Sequence, residues 1–219
     1  MSAKLISYSQ NENHDSLLEQ IAYAARVSNP SNQANSATSE KLVRYLIKEG
    51  HWSPLEMVSA CIEIETTRDI ARQILRHRSF SFQEFSQRYA DPIEDLEMVY
   101  REPRLQDTKN RQNSIEIPEG EETVNKHLWN EAQGALMVQA KRVYKWALEQ
   151  GIAKEQARAV LPEGLMGSRL YMNGTLRSWV HYIELRSGHG TQKEHMEIAR
   201  QCAKALEPVF PMIKEFVNV

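Results

Sequence analysis

The chain reads as an α+β protein, a small mixed β-sheet flanked by helices, in a single domain spanning residues 1–219. Three observations predict this. Val58, Ala60, Ile62 and Ile64 alternate with Ser59, Cys61, Glu63 and Glu65, the period of two that marks a half-buried strand. Apolar residues recur at helical spacing through most of the remaining chain, including a pair of longer helices. A chain of 219 residues buries one sizeable core and leaves room for excursions.

Taken in order, Lys4 to Tyr8 form a first strand, and Asn13 to Ser16 offer N-caps for a helix whose Leu17, Leu18, Ile21, Ala24 and Ala25 share a face. Asn29 to Ser39 are too polar to pack and form a loop. A second helix carries Leu42, Tyr45, Leu46 and Ile47 to Gly50. After the alternating strand, Thr66-Thr67-Arg68-Asp69 resembles a capping box opening a helix with Ile70, Ala71, Ile74 and Leu75 on its buried stripe. Arg72, Gln73 and Arg76 share another face. Residues 106–122 are polar, with Pro118 and Gly120, and form a long excursion that reads equally as a lid or as a solvated segment. From Val124, the positions Leu128, Ala132, Leu136, Val143 and Trp146 mark a long amphipathic helix to about Gln150, with Gly151 as its stop. A short helix leads to Leu161-Pro162, and two more run around Leu176–Leu185 and Gln192–Leu206.

Composition narrows the function. The 27 basic and 29 acidic residues nearly cancel, so no global field draws the protein to nucleic acid or an anionic membrane, and any anion must be held by a local cluster. No apolar run nears the roughly 20 residues that cross a bilayer, and the start, with its single Lys4, lacks a signal-peptide core, so a cytoplasmic location is expected. Cys61 and Cys202 are too few for a disulfide framework and lack metal-ligand spacing; no metal is expected. His14 and His127 read as surface residues, His189 and His195 lack metal-ligand company, and His51 is a cap or a cofactor neighbour.

The unusual stretch is Arg76-His77-Arg78-Ser79-Phe80-Ser81-Phe82-Gln83-Glu84-Phe85-Ser86-Gln87-Arg88-Tyr89. Guanidinium groups stay charged and offer forked donors that suit phosphate oxygens, and serines add neutral donors and acceptors. Gln73, one turn before Arg76, has an amide suited to the mixed donor and acceptor edge of a pyrimidine. A solvated, salt-bridged surface is the competing reading of the same charges.

The stretch resembles the signature of flavin-dependent (ThyX-type) thymidylate synthases, Arg-His-Arg-x-x-Ser-x-Asn/Gln-Glu-x-Ser-x-Arg, at every fixed position. The resemblance extends to Ala25-Arg26-Val27-Ser28, to Gly50 through Glu56, to Ala157 through Pro162 and to Arg177 through Arg186. It implies a homotetramer that binds FAD between subunits and methylates dUMP to dTMP, with methylenetetrahydrofolate as carbon donor and NADPH as reductant. Gln73, Arg76, Glu84, Phe85, Ser86, Gln87, Arg88 and Arg158 match positions around dUMP, with Ser86, Arg88 and Arg158 on its phosphate. Arg186 matches the arginine at the pyrimidine N3 side, where a fixed cation favours the ionised base and makes C5 more nucleophilic; it is the expected catalytic residue. Ser28, Ser53, Arg76, His77, Arg78, Ser79, Glu84, Thr175, Arg177 and His181 match positions lining FAD. Many members carry Asn where this chain has Thr175.

Three points bear on chemistry. Arg186 lies about 140° around an ideal helix from His181, so both serve one site only if the helix ends between them or subunits share it. Ser86 has no Ser-His-Asp order or adjacent base and is assigned to binding. Neither cysteine sits in the cationic setting that a thiolate nucleophile needs, which favours a flavin route. The alternatives are a nucleotide- or RNA-binding regulator that stacks bases on Phe80, Phe82, Phe85 and Tyr89, and a different nucleotide oxidoreductase on the same fold.

Overall fold

The computed structural model describes residues 1–13, 15–118, 120 and 125–218. The surface position expected for His14, part of the excursion at 119 and 121–122, and the helix start expected at Val124 lie outside the described residues.

The chain opens with β1 (Ser2–Tyr8) and α1 (Leu17–Ala25). Ser16 caps α1 through a capping box with Glu19 and so supplies acceptors for orphan donors of the first turn. The polar run at 29–39 folds into two 3₁₀ turns, Pro30–Asn32 and Ser36–Thr38. It is held by the buried Arg26, which donates to Asn35 O (2.5 Å) and Thr38 Oγ1 (2.8 Å). In α2 (Ser39–Lys48), Val43 and Leu46 face inward, and Tyr45 faces out with its ring edge toward His51. A 3₁₀ turn at Ser53–Glu56 leads into β2 (Ser59–Thr67), whose Ala60, Ile62 and Ile64 are buried as the alternation predicts.

The helix that follows, α3 (Arg68–Ile74), ends before Arg76, and no capping box forms. The Thr67 hydroxyl instead donates to Asp69 (2.6 Å), which also takes Arg101 (2.5 Å), because a nearby guanidinium outcompetes a backbone N–H for the carboxylate. Next come β3 (Ser81–Glu84) and α4 (Pro92–Asp95). The polar excursion contains a small hairpin, β4 (Leu105–Gln106) and β5 (Ser114–Ile115). Its flanks are tied to the protein by Arg104 on Glu194 (2.7 Å) and Lys193 on Glu116 (2.6 Å).

The long helix α5 (Lys126–Glu149) stops where Gly151 adopts φ 77°, but it turns the other way round from expectation. Gln133, Met137, Ala140, Tyr144 and Ala147 face inward, whereas Leu128 (58% exposed), Leu136 (50%) and Trp146 (54%) face out, with Ala132 beside them. The helix carries two apolar stripes, and residue type alone does not say which one its own chain covers. Among the described residues no helix is long and apolar enough to cross a membrane, and α5 has no equally long partner to make the expected helix pair. The short α6 (Lys154–Ala157) then packs with α5 around Ala140, Tyr144, Ala157, Leu161 and Met166 in a second, smaller core.

The strand β6 (Gly167–Thr175), unassigned from sequence, is central: the sheet order is β1-β2-β6-β3. Every pairing is antiparallel, so the expected mixed sheet is corrected. β2 and β3 run in the same direction, but β6 lies between them, and among the described residues no parallel pair forms. Leu170 and Met172 join the β2 residues in the main core, under α7 (Leu176–Arg186) and α8 (Lys193–Leu206). The opposite face is a polar ladder in which directly paired residues bond, Arg169 to Glu65 (2.7 Å) and Tyr171 to Glu63 (2.7 Å).

Gly174 lets the Phe80 ring lie against β6: a Cβ there would stand 2.4 Å from Phe80 Cδ1. That ring stacks edge-on against Trp179 (4.8 Å between centroids) and seats the turn 76–80 on the core. We expect Gly174→Ala to cost about 1–3 kcal/mol through overpacking, read as a lower denaturation midpoint.

Candidate active site

β6 passes directly into α7, and Thr175 caps the helix, accepting from Ser178 N (3.3 Å). This cap organises most of the residues expected to line a flavin. Ser178 Oγ donates to Ser79 O (3.3 Å) and fixes the end of the arginine-rich turn to the start of the helix. Arg177 forms an ion pair with Glu56, and His181 stacks at 4.5 Å on Trp52, so the Ser53–Glu56 turn is drawn to the same first turns of α7. Ser28 is exposed after α1, which packs against that 3₁₀ turn. Arg76 and Arg78 are exposed and form no ion pair with a described carboxylate, an arrangement suited to holding an anionic cofactor. Glu84, at the end of β3, accepts from Ser168 (2.9 Å).

At the other end of α7, Arg186 Nε donates to His77 Nε2 at 3.0 Å. His77 must therefore be neutral, with its proton on Nδ1. Burial first, then Arg186 and Arg76, push its pKa down to about 4. The helix does not end between His181 and Arg186: within one chain they face different partners, Trp52 and His77. Gln73 lies on the same side as His77. It donates to Gln192 Oε1 (2.8 Å), and its Oε1 lies 3.3 Å from His195 Nδ1. Arg72, expected on Gln73's face, points to Glu163 (3.5 Å) instead.

The residues expected on the phosphate form a separate group. Arg88 Nε lies 3.3 Å from the Glu155 carboxylate, and Arg158 Nε donates to Glu155 O at 3.3 Å. Glu155 thus engages both arginines, which lie 70 residues apart in sequence, Arg88 through its carboxylate and Arg158 through its main-chain carbonyl. Ser86 precedes Arg88 in a turn closed by Tyr89 N and Ala90 N on Ser86 O, and the buried Gln87 has an Nε2 without a partner. Phe85 N continues the β3 pairing, donating to Arg169 O (2.8 Å). Among the described residues no hydrogen bond or ion pair joins this group to Gln73, Arg76 and Arg186. A groove of about 560 Å³ lined by His181, Glu184, Leu185, Gly188, His189 and Asn218 takes in only His181 of the expected residues.

Burial pushes both thiols up, Cys61 modestly and Cys202 far more, so neither is poised as a nucleophile. Sequence reasoning missed His195, Gln192 and Glu155. His195 had a signal: it falls on the buried stripe of α8 with Ile198, Ala199 and Cys202, where a polar residue needs a partner.

Residues 4–212 match the family described as "Thymidylate synthase complementing protein". The chain belongs to this family. A protein of Paramecium bursaria Chlorella virus 1, named "Probable flavin-dependent thymidylate synthase", is 48% identical over 221 residues, covering 100% of this chain and 99% of its own. The "Flavin-dependent thymidylate synthase" of Synechocystis sp. is 49% identical over 193 residues, 88% of this chain and 86% of its own. The fold is also that of a UMP/dUMP methylase, PolB from Streptomyces cacaoi, crystallised with 5-Br dUMP: the TM-score is 0.78 at 24% identity, covering 98% of this chain and 93% of the other. The arginine-rich turn, the α7 segment and Arg158 all lie inside the matched residues of the family.

His195, 0% exposed, has its pKa pushed down to about 3, by burial first and then by Arg186, His77 and Arg76. Both histidines titrate near 6.5 when unfolded, above their folded values, so the stability tied to their neutral forms is complete above pH 6.5 and is lost as pH falls toward 4 and then 3. Each pH unit in that window costs up to about 1.4 kcal/mol from His195 alone. We expect urea midpoints to fall between pH 6.5 and 5, above the range where carboxylates titrate, and His195→Asn to flatten the slope. A flat wild-type profile would contradict the buried neutral imidazoles.

Proposed function

We propose that this protein is a flavin-dependent thymidylate synthase, converting dUMP to dTMP with methylenetetrahydrofolate as carbon donor and NADPH as reductant through FAD. The observation that carries the reading is that Arg88 and Arg158 both lie at Glu155, the first on its carboxylate and the second on its main-chain carbonyl, in a chain whose relatives at 48% and 49% identity bear that enzyme's name. Glu155 holds the place of a phosphate: the ion pair is exposed on both sides (67% and 49%) and contributes at most about 1 kcal/mol, so a dianion with forked contacts displaces it.

In this reading Gln73 and Arg186 face the pyrimidine. Arg186 is held by His77 through a bond that leaves the guanidinium its full charge, ready to favour the ionised base and raise electron density at C5. Ser86 and Gln87 add neutral hydrogen bonds, and no side chain serves as nucleophile, in keeping with the raised thiols. FAD fits the exposed Arg76 and Arg78, the Ser79 turn, and the Ser53, Thr175, Arg177 and His181 cluster at the start of α7; when bound, the flavin supplies the hydride that completes the methyl group. Thr175 is engaged as helix cap, so it contributes by shaping the turn.

The chain works as one catalytic domain in the cytoplasm, in a homotetramer whose pockets are completed between subunits. Two observations support shared pockets. The residues assigned to dUMP form two unconnected groups in one chain, and the outward stripe of Leu128, Leu136 and Trp146 offers an apolar surface to a second copy.

Purified protein is expected to carry yellow flavin, and dUMP to accelerate oxidation of the reduced flavin by methylenetetrahydrofolate. Colourless protein without flavin affinity would defeat the reading. Arg88→Ala should weaken dUMP about a hundredfold, through loss of a charge-assisted contact, while changing FAD affinity less than about threefold. Equal losses for both ligands would remove Arg88 from the phosphate. Ser86→Ala should keep turnover within about tenfold of wild type, since it loses one hydrogen bond. Inactivity with normal folding and binding would make Ser86 a nucleophile after all.

A further inference from the structure

The amide of Gln73 is gripped at both ends, and the polarity of the grip is set elsewhere. Glu194, 6% exposed, accepts from Arg104 at 2.7 and 2.9 Å and lies 3.3 Å from Arg101. Held between two guanidiniums, this carboxylate can only accept. Gln192 must therefore turn its NH₂ toward Glu194, where Nε2 donates at 2.9 Å, and this leaves its carbonyl to accept from Gln73 Nε2 at 2.8 Å. The Gln73 carbonyl is then directed at His195 Nδ1, 3.3 Å away, so His195 carries its proton on Nδ1. The relay runs one way, from Glu194 through Gln192 and Gln73 to His195. Reversing any amide would set donor against donor or acceptor against acceptor.

We infer that Gln192 and His195 are positioning residues that lock the Gln73 amide in one orientation and thereby set the preference for uracil over cytosine. The inference rests on the reading that Gln73 faces the pyrimidine. Gln73 keeps one N–H and one carbonyl lone pair free, in fixed order. Uracil, neutral or ionised beside Arg186, presents an acceptor oxygen at C4; cytosine presents an amino donor there. A locked amide matches the first and opposes the second, whereas an amide free to flip serves both. The side chain at 195 touches neither base nor flavin in this scheme; it acts through Gln73.

The test uses the FAD-loaded enzyme and titrates dUMP and dCMP separately. His195→Leu should narrow the preference for dUMP over dCMP about tenfold, the scale of one mispaired hydrogen bond, with FAD affinity unchanged. His195→Asn, whose amide nitrogen stands close to the position of Nδ1, should restore the preference. If His195→Leu does not fold, Gln192→Leu, altered at an exposed position, reads the same ratio from the other end of the amide. A folded Leu variant with unchanged preference, equal weakening of both nucleotides, or failure of Asn to rescue would overturn the inference. Gln73→Ala separates the two levels. Intact dUMP affinity in that variant removes Gln73 from the base and overturns both readings; lost affinity together with an unchanged ratio in His195→Leu overturns the relay alone.

Discussion

The nine-residue antiparallel pairing of β6 with β2 is the constraint on which the rest of the structure depends. It sets the register of the sheet, offers β3 its only neighbour in that sheet, and launches α7 from its last residue with no loop between. The buried Trp179 secures this junction by donating Nε1–H to Ala60 O at 3.0 Å, which ties α7 to β2, the strand beside β6 in the sheet. Both ends of α7 carry residues of the proposed site, Arg177 and His181 early and Arg186 late. Their spacing is therefore fixed by main-chain hydrogen bonds rather than by loops.

What was legible in the sequence follows from what local pattern can carry. The arginine-rich segment stands out because its residue types are chemically specific, and β2 because one face is buried and the other is not. The same argument would have found β6, where Leu170, Met172 and Gly174 alternate with Arg169, Tyr171 and Asn173, but its glycines and polar residues mask the period. The stripe of α5 failed for a different reason. Leu128, Leu136 and Trp146 are as apolar as any core residue, and only the placement of α6, Leu161 and Met166 decides that Ala140, Tyr144 and Ala147 are the covered set. The approach of Arg88 and Arg158 to Glu155, and the relay through Gln192 and His195, join residues far apart in the chain and are tertiary facts.

Acidic residues play two opposed parts around these sites. Glu194 is buried, shared by Arg101 and Arg104, and ties α8 to the segment before β4; removing it would leave Arg101 on Asp69 but Arg104 with only a 3.8 Å contact to Glu102. Glu155 is exposed, binds loosely and, on the proposed assignment, gives way to a phosphate. The difference in burial turns the same side chain into a fixture in one place and a stand-in at the other.

The looseness of the Arg88–Glu155 pair has a kinetic side. A counter-ion worth less than a tenfold change in affinity imposes almost no toll on an incoming nucleotide, yet it keeps the guanidinium from wandering while the pocket is vacant. On the proposed assignment of Arg88 to the phosphate, the same carboxylate recaptures the arginine as a product leaves and lowers the barrier to departure. An enzyme whose substrate and product share one identical handle gains little from gripping that handle hard, and on the proposed assignment this one leaves its grip contested from within.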